Sequence, residues 1–225
     1  MASNTSIDFV SDFLTDLSQN NTREWMDEHK KRYQKAKSIF EDYVDELIVA
    51  IAAFDERVAG TRAKQSVFRL ARDIRFSKDK TPYKTNFSAG ISDQGRKSDK
   101  AFYYFQFQPE GAFIASGMYM VERDTLQKIR QEIDYNGAQF LEILDDPKVK
   151  EEFVGLQIFE NQRLKTAPRG FDKEHEHIDL LRNKSFILSK ELPESFFKKE
   201  DWVVRLADLY QITKPFNDWL NIVFD

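Results

Sequence analysis

The side chains best suited to chemistry lie in one basic segment between Arg62 and Lys84. This segment holds eight basic and two acidic residues, a net charge of +6, whereas the other 26 basic and 36 acidic residues leave −10. Arg69, Arg72 and Arg75 recur at every third position within it. Planar guanidinium groups bind phosphate and carboxylate through paired hydrogen bonds. The pattern therefore predicts a focused anion site on an otherwise acidic protein.

The backbone conformation of this segment decides how the arginines are placed. On a strand, Arg72 would share one face with the apolar Phe68 and Ile74. A guanidinium on an apolar face needs a carboxylate or a bound anion, because an isolated buried charge is very unfavourable. If the chain instead turns helical after Leu70, the three arginines lie along one side of the helix. Either conformation brings several donors close together.

A loop containing Pro82 follows the arginines and adds three lysines, and loops on a rigid scaffold often carry binding groups. We expect the arginines to clamp the anion, the lysines to close over it and Tyr83 to add a hydroxyl. Glu24 and Asp73 would orient the arginines or accept a proton. If a reaction occurs, hydrolysis or group transfer with electrostatic stabilisation is the expected class. The predicted ligand-binding residues are Arg69, Arg72, Arg75, Lys78, Lys80, Tyr83 and Lys84, supported by Glu24 and Asp73.

Two other functions are compatible with the same residues. In the first, the protein is a structural or interaction module, and its arginines pair with some of its own 36 remaining acidic residues or face an acidic partner. In the second, aromatic residues such as Trp25 and Tyr103 stack the bases of RNA or single-stranded DNA beside the basic segment. The net charge of −4 argues against a general polyanion binder.

The sequence predicts neither a metal site nor a cofactor. His175, His177 and Asp179 alternate along the chain, a spacing that a metal bound by nitrogen and oxygen ligands could use. We interpret them instead as capping or hydrogen-bonding side chains in a loop. The chain contains no cysteine, which excludes disulfides, thiolate metal sites and a cysteine nucleophile.

Hydropathy predicts a cytoplasmic protein with no membrane partner. The longest apolar run, from Leu47 to Phe54, has 8 residues, against the roughly 20 that a membrane-spanning helix needs. The first 20 residues are polar and acidic and lack the basic start and apolar run of a signal peptide. No pattern in the sequence predicts an oligomeric state.

Apolar spacing near 3.6 residues predicts helices at the start and end of the chain, with Asn20-Asn21 as a break, Thr22 as a cap and a long helix around Phe40 and Leu47. The aromatic run at 102–105 suggests a central strand covered on both faces. The expected fold class is α+β, an antiparallel sheet with N- and C-terminal helices packed on it. Strands are predicted at Ser66–Leu70, Asn86–Ser92, Phe102–Gln108, Ala112–Met120 and Ser185–Leu188.

Motifs spread over nearly the whole chain form one recognisable pattern. They are the Phe68–Thr85 run, Asn20-Asn21-x-Arg23-Glu24-Trp25, Gly117-Met118-Tyr119, Leu126-x-x-Ile129-Arg130, Leu164-Lys165-x-x-Pro168-x-Gly170-Phe171 and Leu180-Leu181-Arg182. This pattern resembles that of the DUF2461 family of conserved hypothetical proteins. The resemblance implies one domain covering residues 1–225 and brings no assigned activity with it. Met26 and Val121 depart from the pattern, which usually has Phe and Pro there; neither position touches the basic segment.

Overall fold

The first helix ends and the second begins where the sequence predicts. The computed structural model of the chain describes residues 4–224. Helix α1 (Asn4–Gln19) ends before Asn20, and Thr22 caps α2 (Arg23–Glu28) by accepting a hydrogen bond from the Trp25 N–H at 3.2 Å. A threonine hydroxyl at this position satisfies one of the backbone N–H groups that have no partner in the first turn.

The remaining helices of the described chain lie before the first strand, between the third and fourth strands, and after the fourth. No helix within residues 4–224 combines the length and the apolar composition needed to cross a membrane. The further α-helices are α3 (Lys30–Ala52), α4 (Ala63–Ser66), α5 (Arg123–Asp145), α6 (Pro147–Glu152), α7 (Ile178–Leu181), α8 (Trp202–Ile212) and α9 (Lys214–Asn221). Short 3₁₀ turns lie at Glu56–Val58, Gly95–Lys97, Glu160–Gln162, Glu194–Lys198 and Ile222–Phe224.

Four strands form one antiparallel sheet, which confirms the α+β class. Their order across the sheet is the same as their order along the chain. Phe13 of α1 contacts a ring of the first strand, Phe87, at 6.2 Å between centroids, so an amino-terminal helix packs on the sheet. The strands are β1 (Phe87–Ile91), β2 (Phe102–Gln108), β3 (Gly111–Met118) and β4 (Phe186–Pro193).

Strand β2 is central, as predicted, but only one of its faces is fully buried. Phe105 and Phe107 are buried, whereas Tyr104 and Gln106 on the opposite face are half-buried. On that second face the Tyr104 hydroxyl donates to the Gln106 side-chain oxygen at 3.0 Å. The expectation that both faces are covered is therefore wrong, because polar side chains take alternate positions in the second half of the strand.

The described chain divides into two compact units. The prediction that residues 1–225 form a single domain stays a prediction. The first unit takes in the residues up to Lys97, Tyr104–Ile114 and Glu191–Asp208; the second takes in Ser98–Tyr103, Ala115–Lys190 and the residues from Leu209 onward.

An aromatic core holds the first unit together. Phe40 of α3 packs on Phe87 of β1 and on Phe105 of β2, with centroid separations of 5.3 and 5.6 Å. All three rings are almost fully buried. Tyr43, one turn further along α3, contacts Trp202 at 4.8 Å. The buried stripe of α3 is the one that its apolar spacing predicts, and it fixes β1 beneath the helix.

A second aromatic cluster forms the core of the other unit. Phe140 of α5 lies 4.4 Å from Trp219 and 5.5 Å from Phe216, both on α9. It also meets Phe186 of β4 edge-on at 6.1 Å. Helix α5 bends at Asn136, whose backbone angles are not helical.

The strand predicted at Ser66–Leu70 is wrong. Ser66 ends α4, and the chain then runs extended with a single bridge, between Val67 and Ala89. Aromatic and β-branched residues there fit an extended backbone, but the segment forms only one bridge to the four-stranded sheet. The strand predicted at Ser185–Leu188 exists and extends further, to Pro193.

Candidate functional site

The predicted anion-binding arginines lie on two extended arms that pair with each other. The Arg72 N–H donates to the Pro82 carbonyl and the Lys84 N–H to the Leu70 carbonyl, each at 2.9 Å, around a bridge between Ala71 and Tyr83. We call residues 68–84 the basic hairpin. Of the two conformations expected here, neither a strand continuing through residues 72–76 nor a helix after Leu70 forms. Residues 73–81, most of which are polar, form the turn that connects the two arms.

A side chain from the turn between α1 and α2 holds one arm of the basic hairpin. The Asn21 side-chain NH₂ donates to the Tyr83 carbonyl at 3.0 Å, and the Tyr83 N–H donates to the Asn21 side-chain oxygen at 3.1 Å. A carboxamide here replaces the two backbone hydrogen bonds that a neighbouring strand would supply. Asn21 therefore positions the arm that carries Lys84.

We predict that Asn21→Ala destabilises the protein by about 1–3 kcal/mol, because two partly buried backbone groups lose their partner. Urea denaturation measures the change, and amide exchange at Lys84 should become faster. The matched control is Asn20→Ala, which removes one exposed bond from the Asn20 side chain to the Asp16 carbonyl. Equal unfolding midpoints for the two variants would contradict the positioning role.

Two of the three arginines have internal carboxylate partners. Arg72 pairs with Asp79 and also donates to the Thr81 carbonyl at 3.3 Å. Arg75 pairs with Asp73 at 2.7 Å. Hydrogen bonds from Thr81 and then from Arg72 hold the pKa of the Asp79 carboxyl well below its usual range. Arg72 and Arg75 thus have the internal pairing that the structural alternative requires of every arginine.

The third arginine and a lysine lack such partners. In the part of the chain that the structure describes, neither Arg69 nor Lys84 forms an ion pair. The Lys84 ammonium lies over the Phe68 ring, 5.5 Å from its centroid. Burial lowers the pKa of Lys84 below its ordinary 10.5, and the positive charge of Arg69 lowers it further. Two cations therefore lie close together, and neither forms an ion pair. The Asp73 carboxylate is paired with Arg75, whose hydrogen bonds are the main cause of its lowered pKa; the charge of Arg69 contributes a smaller part of that lowering.

Both cations line an open cleft of about 350 Å³ in the first unit. One wall carries an aromatic ring and another carries a carboxylate, so the cleft is not uniformly basic. Its lining residues are Phe68, Arg69, Ala71, Arg72, Asp73 and Lys84.

The structure brings together four of the nine predicted site residues in this cleft: Arg69, Arg72, Lys84 and Asp73. The other five lie outside its lining. The Lys80 ammonium donates to the Ile74 carbonyl at 2.9 Å, and Lys78 is exposed in the turn. Arg75 also points to solvent, with 77% of its side chain exposed. Tyr83 contributes its backbone to Asn21, and Glu24 is exposed in the first turn of α2.

Sequence reasoning missed Phe68 as a site residue. It was interpreted only as an apolar strand position, yet its ring lines the cleft. A lysine over a ring face is a frequent pairing, but the sequence carries no local signal of it here, because the cation over the ring is Lys84 from the other arm of the basic hairpin.

The ring of His175 is held by hydrogen bonds within the protein. The Nε2 atom of His175 lies 2.8 Å from the Asp134 carboxylate, and its Nδ1 accepts the His177 N–H at 3.0 Å. Both ring nitrogens are therefore occupied by protein groups. Across residues 4–224 no group of three or more His, Asp or Glu side chains is arranged to hold a metal ion.

Two further motifs of the family resemblance tie the second unit together. The buried Arg130 donates through Nε to the Leu181 carbonyl at 2.9 Å, at the end of α7. Arg182 donates through Nε to the Leu164 carbonyl at 2.7 Å. Both arginines bond backbone carbonyls within this unit, and the buried Nη2 of Arg130 has no hydrogen-bond partner among the described residues.

A protein-family model described as "Conserved hypothetical protein (DUF2461)" matches residues 10–219 of the chain. This match confirms the resemblance found in the sequence motifs. The comparisons with curated proteins and with solved structures returned no match.

Proposed function

The chain belongs to the DUF2461 family, and we propose that it binds a small phosphate- or carboxylate-bearing anion in the cleft of the basic hairpin. One observation carries the proposal: Arg69 and Lys84 line the same cleft and, unlike Arg72 and Arg75, form no ion pair among the described residues. Two like charges held together raise the energy of the free protein, and an anion between them lowers it. Arg72, whose charge is shared with Asp79, adds a third donor.

The surroundings of Lys84 support binding, whereas Arg69 is exposed. Lys84 is half-buried, and burial is the main cause of its lowered pKa. A partly desolvated ammonium interacts more strongly with an anion than one in bulk water does. The pairing of the arms and the Asn21 contacts fix the backbone at Lys84, so little ordering is left for the ligand to provide.

The structural alternative accounts for Arg72 and Arg75, which have internal carboxylates, and leaves Arg69 and Lys84 unexplained. Binding of RNA or single-stranded DNA has less support. Such binding needs a row of available cations along a groove. Two cations of the segment are already engaged: Arg75 forms an ion pair with Asp73, and the Lys80 ammonium donates a hydrogen bond to the Ile74 carbonyl.

The proposal is tested by thermal denaturation with inorganic phosphate, pyrophosphate and succinate, each compared with sodium chloride at equal ionic strength. An anion present at about 100 times its Kd adds about 2.7 kcal/mol of stability, so Tm should rise by several degrees. We expect Arg69→Ala to abolish this rise. Lys97→Ala, which removes an exposed lysine outside the cleft, should keep it.

Two results would refute the anion site. One is the absence of any Tm rise with all three anions. The other is a rise of equal size in the wild type and in Arg69→Ala, which would place the binding elsewhere on the surface.

A further inference from the structure

Besides its cations, the cleft offers a ring that is fixed in place. The Phe68 ring lines it and meets Tyr104 at 6.2 Å. The Phe68 N–H donates to the Ser88 carbonyl at 2.8 Å, which ties the residue to β1. Gly90 faces the ring: a Cβ there would lie 3.4 Å from it. A ring held against a sheet in this way can stack a planar group without first being ordered.

The cleft also contains one carboxylate, that of Asp73. Its Oδ1 accepts both the Arg75 N–H at 3.3 Å and Nε at 3.0 Å, and its Oδ2 accepts Nη2 at 2.7 Å. A carboxylate has about four acceptor positions, so Oδ2 has capacity for one more donor. The negative charge of Asp73 opposes a bare anion nearby, but its free lone pair suits a hydroxyl group. The cleft therefore favours an anion that also carries hydroxyls.

We infer that the cleft takes a nucleoside monophosphate, with the phosphate between Arg69 and Lys84, the base on Phe68 and a ribose hydroxyl on Asp73. This inference rests on the proposed function and specifies its ligand. A cleft of about 350 Å³ lies at the small end of the range for organic ligands, and inorganic phosphate alone would leave most of it empty. In the free protein the Lys84 ammonium lies over the Phe68 ring. The phosphate draws this flexible side chain off the ring face, and the base takes its place.

The test is calorimetric titration with adenosine 5′-monophosphate, ribose 5-phosphate, adenosine and inorganic phosphate. We expect the nucleotide to bind at least about tenfold more tightly than ribose 5-phosphate, because stacking of a base on an aromatic ring contributes about that much or more. Phe68→Leu should remove this advantage and leave phosphate binding unchanged. Phe113→Leu, a half-buried aromatic of β3 outside the cleft lining, is the matched control and should keep it.

Asp73 provides a second readout, because its removal should affect two ligands differently. In Asp73→Ala the phosphate affinity should rise, because a repelling charge is lost. The affinity of ribose 5-phosphate should rise less or fall, because its hydroxyl loses an acceptor. Equal gains for both ligands would overturn the assignment of Asp73 to the sugar.

The outcomes separate this inference from the proposed function. Phosphate binding that depends on Arg69, with no added affinity for the nucleotide, overturns the inference and leaves the anion site standing. Failure of every anion to bind overturns both. A further test uses an oligoadenylate of ten nucleotides. If it binds much more than tenfold more tightly than adenosine 5′-monophosphate, and its affinity falls steeply with salt, the ligand is a nucleic acid and the inference of a free nucleotide is wrong.

Discussion

Replacing Gly117 with alanine is expected to destabilise the protein by more than about 4 kcal/mol, the largest effect of any substitution considered for this chain. Gly117 has a φ of +123°, which L side chains rarely adopt, and its added Cβ would lie 2.0 Å from the Phe186 carbonyl oxygen and 2.8 Å from the Phe216 ring. Both neighbours are buried, one in β4 and the other in α9, so neither can move without disturbing the core.

Gly155 provides a control for the backbone angle alone. Its φ of +85° is also positive, but nothing lies within 4 Å of an added Cβ. Gly155→Ala should cost about 1–2 kcal/mol, the strain of a left-handed backbone at one residue. Chemical denaturation of both variants gives the difference, which measures the steric overlap. If both substitutions lower the free energy of unfolding by the same amount, the close approach of Phe186 and Phe216 is not the reason that position 117 requires glycine.

The second large effect is a loss of anion affinity at alkaline pH. Burial and the Arg69 charge lower the pKa of Lys84 below 10.5, and a bound anion favours the charged form of this lysine. Affinity is therefore full at pH values below the pKa of Lys84 in the free protein and falls as the pH rises through it. Because a hydrogen bond to a charged group contributes about 1.5–3 kcal/mol, we expect a loss of at least about tenfold.

Sulfate is the appropriate probe for this measurement, since its own charge stays constant over the alkaline range. The control is Lys84→Arg, which keeps a cation that does not lose its proton in proteins. Its sulfate affinity should stay nearly level while that of the wild type falls below pH 10.5. The same decline in both proteins would mean that other groups cause it.

The helices and the central strand were predictable because their signals are local. The buried stripe of α3 follows the spacing of Phe40 and Leu47, and Thr22 marks the start of α2 by a side-chain bond within one turn. Strand β2 was predicted at its observed bounds from its run of aromatic residues. The predicted strand at Ser66–Leu70 was wrong because the same residue types occur in paired strands and in extended segments that do not join a sheet.

The geometry of the candidate site was predictable only in part. The density of basic residues points to the segment that forms the proposed cleft, but charge counting cannot say which cations have partners. Asp79 forms an ion pair with Arg72 across the turn, and Asp73 forms one with Arg75, two residues further along the chain. The contact between Asn21 and Tyr83 joins residues 62 positions apart and has no local signal. Arg69 and Lys84 are the cations of the cleft that form no ion pair among the described residues. This depends on how the two arms of the basic hairpin pair in space, which the sequence alone does not give.

The most direct test of an unneutralised cation pair is the pKa of Lys84, followed by NMR with labelled lysine side chains. We predict a pKa below 10.5 in the free wild-type protein, a rise when sulfate is added, and a rise without sulfate in Arg69→Ala. A Lys84 that titrates at 10.5 in the free protein and does not respond to saturating sulfate would contradict the anion site.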